Sequence, residues 1–200
     1  MFLPRRIGGF TWRLLLYYVL LGVAPWPGFR DAYAGLFRAG GNAVFGSFGQ
    51  SGRTEFEPAP ESLRVFDTRV RFNIAGSSKW CRLTYNAWIA GWIPVATLVA
   101  LVLATRIPWS RRWNALLWGL LWTHVFVLLR VLVLVVYGFS GPPCVPLLSV
   151  GPWGHTVLEV VLEVVSVSPV TSCVVPVFIW LLVTFRREDW LETLHAHGAA

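Results

Sequence analysis

The chain has 200 residues, of which 56% are hydrophobic and only 14% charged, and it contains twelve tryptophans. Soluble domains are usually about 45–50% apolar and about 25% charged, so this composition indicates a compact membrane protein. The formal charge of +7 lies mostly beside apolar runs, where basic residues orient membrane segments and contact anionic headgroups; we therefore do not expect nucleic-acid binding.

The first apolar run covers residues 10–24 and follows Arg5 and Arg6. A basic start and a short apolar stretch are typical of either an N-terminal membrane anchor or a signal peptide, with "AYA" at 32–34 as a small-residue cleavage site. We favour an uncleaved anchor formed by residues 1–24, because Pro25 and Pro27 separate the run from "AYA".

Residues 25–84 are the only substantial polar segment before the next apolar run. The stretch "SLRVFDTRVRFNI" (62–74) alternates partly between apolar and charged residues, which predicts one or two short strands. We predict a small extracytoplasmic cap on an otherwise all-α integral membrane protein with about four transmembrane helices.

The remaining three predicted spans lie within residues 85–187, at 85–105, 113–137 and 156–185, each long enough to cross a bilayer. The connection "RIPWSRR" (106–112) holds three arginines, whereas 138–155 holds no Lys or Arg. The positive-inside rule then places both termini, including the tail at 188–200, in the cytoplasm. The predicted localisation is the inner (plasma) membrane, with a multi-pass chain and an extracytoplasmic site.

Arg130 is the only Arg, Lys, Asp or Glu between Trp113 and Leu158. It lies seven residues before the outer end of its predicted span, roughly 10 Å below the boundary. A charge at the centre of a membrane helix costs about 2.5–3.5 kcal/mol, so its presence needs a reason. Either Arg130 reaches headgroups or pairs with an acidic residue, or it faces inward and donates hydrogen bonds to a bound or reacting group.

His155, Glu159 and Glu163 follow one another at steps of four and share one helical face. The pattern suits either a solvated polar face or a general base that a carboxylate holds in its tautomer. A metal site at these three positions is not supported by further His or Cys spacing, and we expect no metal or other cofactor.

Cys81 precedes the second span and is flanked by Lys79 and Arg82, and nearby cations lower the pKa of a thiol. Cys144 is predicted on the same side of the membrane, and a disulfide between the two would remove the nucleophile. Cys173, inside the last span, is interpreted as a packing residue.

In order and spacing, these pieces resemble the exosortase/archaeosortase family of membrane-embedded cysteine transpeptidases. The resemblance covers residues 78–187 and suggests a compact, divergent member. The matching pieces are Cys81, "IPWSRRW" (107–113), "LLRVLVL" (128–134) with Arg130, and "GHTVLEVV" (154–161) with His155.

The resemblance implies a protease and transpeptidase that cleaves the C-terminal sorting signals of secreted proteins at the outer membrane boundary. In it, Cys81 attacks the scissile carbonyl, His155 acts as base, and Arg130 stabilises the oxyanion or the substrate. Glu159 as the orienter of His155 is our inference from the spacing. The alternative is a non-catalytic membrane assembly factor, or an inactive relative, in which Arg130 forms a structural ion pair. Other than this substrate and membrane lipids, the sequence indicates no partner, and it leaves the oligomeric state open.

Overall fold

The computed structural model describes residues 3–23, 28–60, 65–77, 80–141, 144 and 146–185, without the side chains of 3–7 and 23. The helices are α1 (Leu3–Tyr18), α2 (Phe29–Phe45), α3 (Ile93–Ala104), α4 (Trp109–Gly138), α5 (Pro152–Val161) and α6 (Pro169–Thr184). The strands are β1 (Ser47–Phe48), β2 (Gly52–Pro58), β3 (Thr68–Ile74) and β4 (Cys81–Tyr85). Three π-helical segments, Val19–Val23, Trp88–Trp92 and Leu162–Val167, adjoin α1, α3 and α5.

The predicted fold class was wrong. The described chain is not all-α with about four transmembrane helices, because it carries a four-stranded antiparallel sheet in the order β1-β2-β3-β4. Within the described residues, only α4 is a single helix long and apolar enough to cross a membrane; the count rises to two if the bent pair Pro152–Val167 and Pro169–Thr184 forms one broken span. Length and composition are therefore compatible with membrane association.

The other three predicted spans do not form single helices long and apolar enough to cross a membrane, and each has a local cause. Helix α1 has 16 residues and carries three arginines. The second apolar helix begins only at Trp88, since the chain is still extended in β4, and it ends at Ala104. The fourth predicted span bends by 72° between its two helical parts. At the break, Ser168 is extended (ψ 124°) and Pro169 follows, as expected because proline has no N–H and disfavours helix at the residue before it.

The prediction of a strand within 62–74 is confirmed by β3, although residues 62–64 lie outside the described part. Along β2, Gly52, Thr54 and Phe56 are buried while the intervening residues are exposed or half-buried, the period of two that a half-buried strand requires. Phe56 pairs with Val70 across β2 and β3, and Val70 pairs with Leu83 on β4.

The chain divides into two compact units, and the second comprises Pro25–Ile93 and Val125–Ser172. In this unit the buried face of the sheet packs on the second half of α4. Its core is formed by Phe56, Val70, Phe72, Tyr85, Ala90, Val131, Leu134, Val135 and Phe139. At roughly 1.5–3 kcal/mol for each large apolar side chain, this shared core is what holds α4 against the sheet.

The first unit comprises Met1–Ala24, Pro94–His124 and Cys173–Ala200. Leu98, Val102 and Ala115 form its core, with Trp180 packed against them. The Trp180 indole donates to the Thr105 hydroxyl at 3.0 Å. These contacts join α3, the first half of α4 and α6.

Candidate functional site around Arg130

Arg130 is fully buried and its guanidinium is held by neutral acceptors. Nη1 donates to the Ala90 carbonyl at 3.1 Å and to the Ser172 hydroxyl at 2.6 Å. Nη2 donates to the carbonyls of Ser166 at 2.7 Å and Ser168 at 3.4 Å. The inward-facing interpretation of Arg130 is thus confirmed, and the headgroup-reaching interpretation is wrong.

The carbonyls that accept hydrogen bonds from Arg130 lie in or next to π-helical segments. Ala90 lies in the π-helical segment Trp88–Trp92 and Ser166 in Leu162–Val167, while Ser168 stands at the break before α6. A wider helical turn displaces carbonyls from the regular i to i−4 pattern, and such turns are frequent at functional sites. The Ser166 hydroxyl returns a hydrogen bond to the Arg130 carbonyl at 2.9 Å. Arg130 therefore joins α4 to both segments.

The alternative in which Arg130 forms an ion pair with Glu159 or Glu163 is not found among the described residues. Among the described residues, the ion pairs join Arg71 to Glu55 and Glu57, and none includes Arg130. Glu159 and Glu163, the expected partners, are exposed. Within the part of the chain that the structure describes, the guanidinium is thus held by carbonyl and hydroxyl dipoles and not by a carboxylate.

Tyr85, the last residue of β4, lies next to this cation. It is only 4% exposed, and its hydroxyl and Arg130 Nε are both buried. Burial raises the pKa of Tyr85 to about 12, and the charge of Arg130 and a side-chain hydrogen bond with Arg130, which favour the phenolate, oppose this rise.

A cavity of about 100 Å³ adjoins these groups. It is lined by Tyr85, Ala90 and Ser166 together with Val65, Phe66, Thr84, Asn86, Ile89 and Val167. Its wall is fixed by polar contacts: the Asn86 amide donates to the Val65 carbonyl at 2.6 Å and accepts from the Ile89 N–H at 3.0 Å.

The Asp67 carboxylate fixes the same wall from the other side. It accepts from the N–H groups of Ala87 at 2.8 Å and Trp88 at 3.1 Å. These donors are at the start of a helix, where N–H groups lack intrahelical partners and a negative charge is stabilising. The junction between β4 and the following helix is therefore rigidly tied at the cavity.

Cys81 stands at the opposite end of β4 from Tyr85. It forms a disulfide with Cys144, which was one of the two alternatives that the sequence left open. Cys173 is the free cysteine. Tyr85 lies four positions beyond Cys81 along the strand, a distance of about 13 Å. The structure therefore places Cys81 and the Arg130 cavity at different ends of one strand.

His155, on α5, lies against Tyr137, with 5.5 Å between the ring centroids. Glu159 also interacts electrostatically with Tyr137, as expected if it shares a helical face with His155. Tyr137 lies seven residues beyond Arg130 on α4, about 10 Å along the helix. The structure thus brings His155 and Glu159 together near the end of α4 but separates them from Arg130.

Sequence reasoning missed Tyr85, Ser166 and Ser172. The serines belong to "VVSVSPVTS" (164–172), where hydroxyls and a proline interrupt an apolar run. Such a pattern opposite a buried arginine signals acceptors for it. Tyr85 gave no comparable signal, because an aromatic residue at a strand end is ordinary.

No protein-family model, curated protein or solved structure matches the chain. Membership of the exosortase/archaeosortase family therefore stays a prediction.

Proposed function

We propose that this chain is a non-catalytic, membrane-associated assembly factor whose sheet-bearing unit is stabilised by the Cys81–Cys144 disulfide. That disulfide is the observation that carries the proposal, because it occupies Cys81, the nucleophile predicted from the sequence. Disulfides persist in oxidising compartments, which supports an extracytoplasmic location for both cysteines. The main-chain acceptors around Arg130 support a role for this residue in holding the fold together.

The proposal is tested by comparing Cys81→Ala, Cys144→Ala and the double variant. If the bond is structural, all three lose the same cross-link, and we expect equal losses of thermal stability and of abundance in the membrane fraction. The typical cost of losing a native disulfide is about 2–5 kcal/mol. Cys173→Ala, which removes the free thiol, serves as control. Unequal effects of the two single variants on function would contradict the proposal.

The second candidate is the exosortase-like cysteine transpeptidase, which the order Cys81, Arg130 and His155 supports, as does the approach of His155 and Glu159 to Tyr137. In this proposal the disulfide is first reduced by a thiol donor. The Cys81 thiolate then forms a thioester with the substrate carbonyl, His155 protonates the leaving amine, and an acceptor amine releases the product. The donors of Arg130 would reach this carbonyl only after the helices rearrange.

The same variants separate the two candidates. The substrate is a secreted reporter that ends in a short motif, an apolar span and an arginine cluster, co-expressed with each variant. A transpeptidase loses processing in Cys81→Ala and keeps or gains it in Cys144→Ala, which frees the nucleophile. Identical, unprocessed reporter in both would leave the non-catalytic proposal standing.

We also infer the topology from the disulfide. Two bonded cysteines lie on one side of a membrane, so the chain between Cys81 and Cys144 crosses it an even number of times. The apolar helix Trp88–Ala104 and α4 would form this pair, with the arginine-rich connection 106–112 in the cytoplasm. A helix of 17 residues is at the short limit for a span. Single-cysteine labelling at position 110 from either side tests this: labelling from outside would refute the inferred topology.

A further inference from the structure

We propose that a second cavity, in the first unit, binds the phosphate headgroup of an anionic phospholipid through Arg106. This cavity has a volume of about 550 Å³ and is lined by Phe10, Ala104, Thr105, Arg106, Trp180 and Phe185. All six residues belong to the same compact unit. Such a site rests on the membrane association and the topology proposed above, and it is compatible with either candidate function.

Aromatic rings form the apolar wall of the Arg106 cavity. Phe10 stacks on Trp180 with 6.0 Å between the ring centroids, and Phe185 meets Trp180 edge-on at 5.5 Å. The Thr105 hydroxyl accepts from the Trp180 indole at 3.0 Å and donates to the Leu101 carbonyl at 2.7 Å, so these polar groups are used within the fold. A mostly apolar cavity of about 300–1,000 Å³ with a few polar groups is typical of a ligand site.

The charge of the cavity comes from Arg106, in the connection between α3 and α4. Its side chain is exposed and reaches α1, since a β-carbon placed at Gly9 would lie 3.6 Å from Arg106 Nη2. The two other arginines of this connection serve as helix caps. Arg111 donates to the Thr184 carbonyl at the end of α6 at 2.8 Å, and Arg112 donates to the carbonyl that follows α3 at 3.1 Å. Of the three, Arg106 is the one that lines the cavity.

The charges around this cavity favour an anion. The described side chains of the first unit, in 8–22, 94–124 and 173–185, include four arginines and no Asp or Glu. A guanidinium matches the geometry of a phosphate group and forms two parallel hydrogen bonds with it. In the inferred topology the connection 106–112 lies in the cytoplasm, and basic pockets between helices on that side suit anionic headgroups. A cationic headgroup would be repelled by the same arginines.

An exposed apolar stripe on α6 extends from the cavity and suits the acyl chains. Val174, Phe178 and Leu182 follow one another at steps of four and are all exposed, so they share one helical face. Phe185, three residues beyond Leu182, lines the cavity. The stripe therefore runs from Arg106 towards the start of α6, as acyl chains run from a headgroup into the bilayer. A soluble phosphate would make no use of this stripe.

The test is thermal unfolding of the purified full chain in a neutral detergent with added dihexanoyl phosphatidylglycerol. This lipid should raise the melting temperature saturably, whereas the zwitterionic dihexanoyl phosphatidylcholine should raise it much less. Arg106→Gln should weaken phosphatidylglycerol binding by about tenfold or more, since it removes charge-assisted hydrogen bonds. Arg13→Gln removes the same charge from α1 at a position that does not line the cavity, and it should leave the affinity unchanged. Equal stabilisation by the two lipids, or equal losses in the two variants, would overturn the proposal.

Inorganic phosphate and the C-terminal tail are the competing occupants. Stabilisation by inorganic phosphate as strong as that by phosphatidylglycerol would indicate a soluble anion and contradict the lipid. Residues 186–200, outside the described part, contain Glu188, Asp189 and Glu192. If phosphatidylglycerol stabilises only the triple variant Glu188→Gln, Asp189→Asn and Glu192→Gln, the tail occupies the cavity and the proposal fails. None of these measurements involves the disulfide or labelling at position 110, so the lipid site can fail while the proposed function and topology stand.

Discussion

At the level of single residues, Arg130 supplies the donors for four acceptors, three of them in buried hydrogen bonds. Methionine is shorter and has no donor, so this replacement would leave the carbonyls of Ala90 and Ser166 and the hydroxyl of Ser172 without their hydrogen bonds from Arg130. Leaving a buried neutral acceptor unsatisfied typically costs about 1–3 kcal/mol. We expect Arg130→Met to lower the free energy of unfolding by that amount in denaturant titrations.

The control for this change is Arg53→Met, which alters an exposed arginine on β2 and should have little effect. The double variant Arg130→Glu with Glu159→Arg should not recover stability, because the two residues are not paired in the native chain. Recovery in the double variant would contradict the contacts described for Arg130.

Tyr85 gives the molecule a predictable response to alkaline pH. Its folded pKa is raised to about 12 from an ordinary value of 10, so the unfolded chain ionises first. The stabilising contribution is complete below pH 10 and is lost as pH rises from 10 towards 12, by at most about 1.4 kcal/mol per pH unit. Chemical denaturation at several pH values should show this fall, and Tyr85→Phe should have a shallower one. An unchanged slope in Tyr85→Phe would refute the assignment.

The importance of Arg130 could be predicted from the sequence, but its partners could not. A lone charge in an apolar run always needs an explanation, and this holds in any fold. The groups that accept hydrogen bonds from Arg130 lie where the helices become π-helical. The π-helical segments that contain Ala90 and Ser166 have no distinctive amino-acid composition, so they could not be predicted. The same applies to the distance between Cys81 and Arg130, which is set by the length of β4.

At the level of elements, alternation located β3 and the length of the apolar run located α4, but hydropathy misjudged the ends of the neighbouring elements. An average over about 20 residues does not register that Tyr85 still belongs to a strand, or that Pro169 ends one helix and starts another. Hydropathy measures the solvent that a segment prefers, whereas the ends of an element depend on single residues.

Helix α2 and strand β2 allow a test of this packing with two adjacent glycines. A β-carbon at Gly41 would meet the Phe56 ring at 2.9 Å, whereas at Gly40 it would meet nothing within 4 Å. Overpacking costs about 1–3 kcal/mol, so Gly41→Ala should destabilise the second unit. Gly40→Ala should stabilise the chain by about 0.4–1 kcal/mol, since alanine loses less entropy in a helix. Equal unfolding midpoints for the two variants would argue against the placement of α2 on Phe56.

At the level of the whole molecule, the disulfide and the apolar helices give different information about how the chain relates to a membrane. Hydropathy identifies helices that are long and apolar enough to cross a membrane. Among the described residues, one unbroken helix meets this criterion. The Cys81–Cys144 bond instead joins two residues that lie on the same side of the membrane in the proposed topology. The sequence already predicted both cysteines on one side of the membrane, but it left open whether they form a bond.

Helix α4 provides the decisive test of membrane residence. Leu121, near its middle, is 51% exposed and belongs to an apolar face that includes Trp118 and Trp122. In water, Leu121→Arg would be nearly neutral, because surface substitutions rarely change stability by more than about 0.5 kcal/mol. In a bilayer the same charge costs about 2.5–3.5 kcal/mol, so we expect Leu121→Arg to reduce the carbonate-resistant membrane fraction severalfold. Asn114→Arg, at an exposed position near the start of α4, should leave that fraction unchanged because its charge reaches the headgroups. Equal membrane fractions for the two variants would mean that the exposed face of α4 meets water or protein and not lipid.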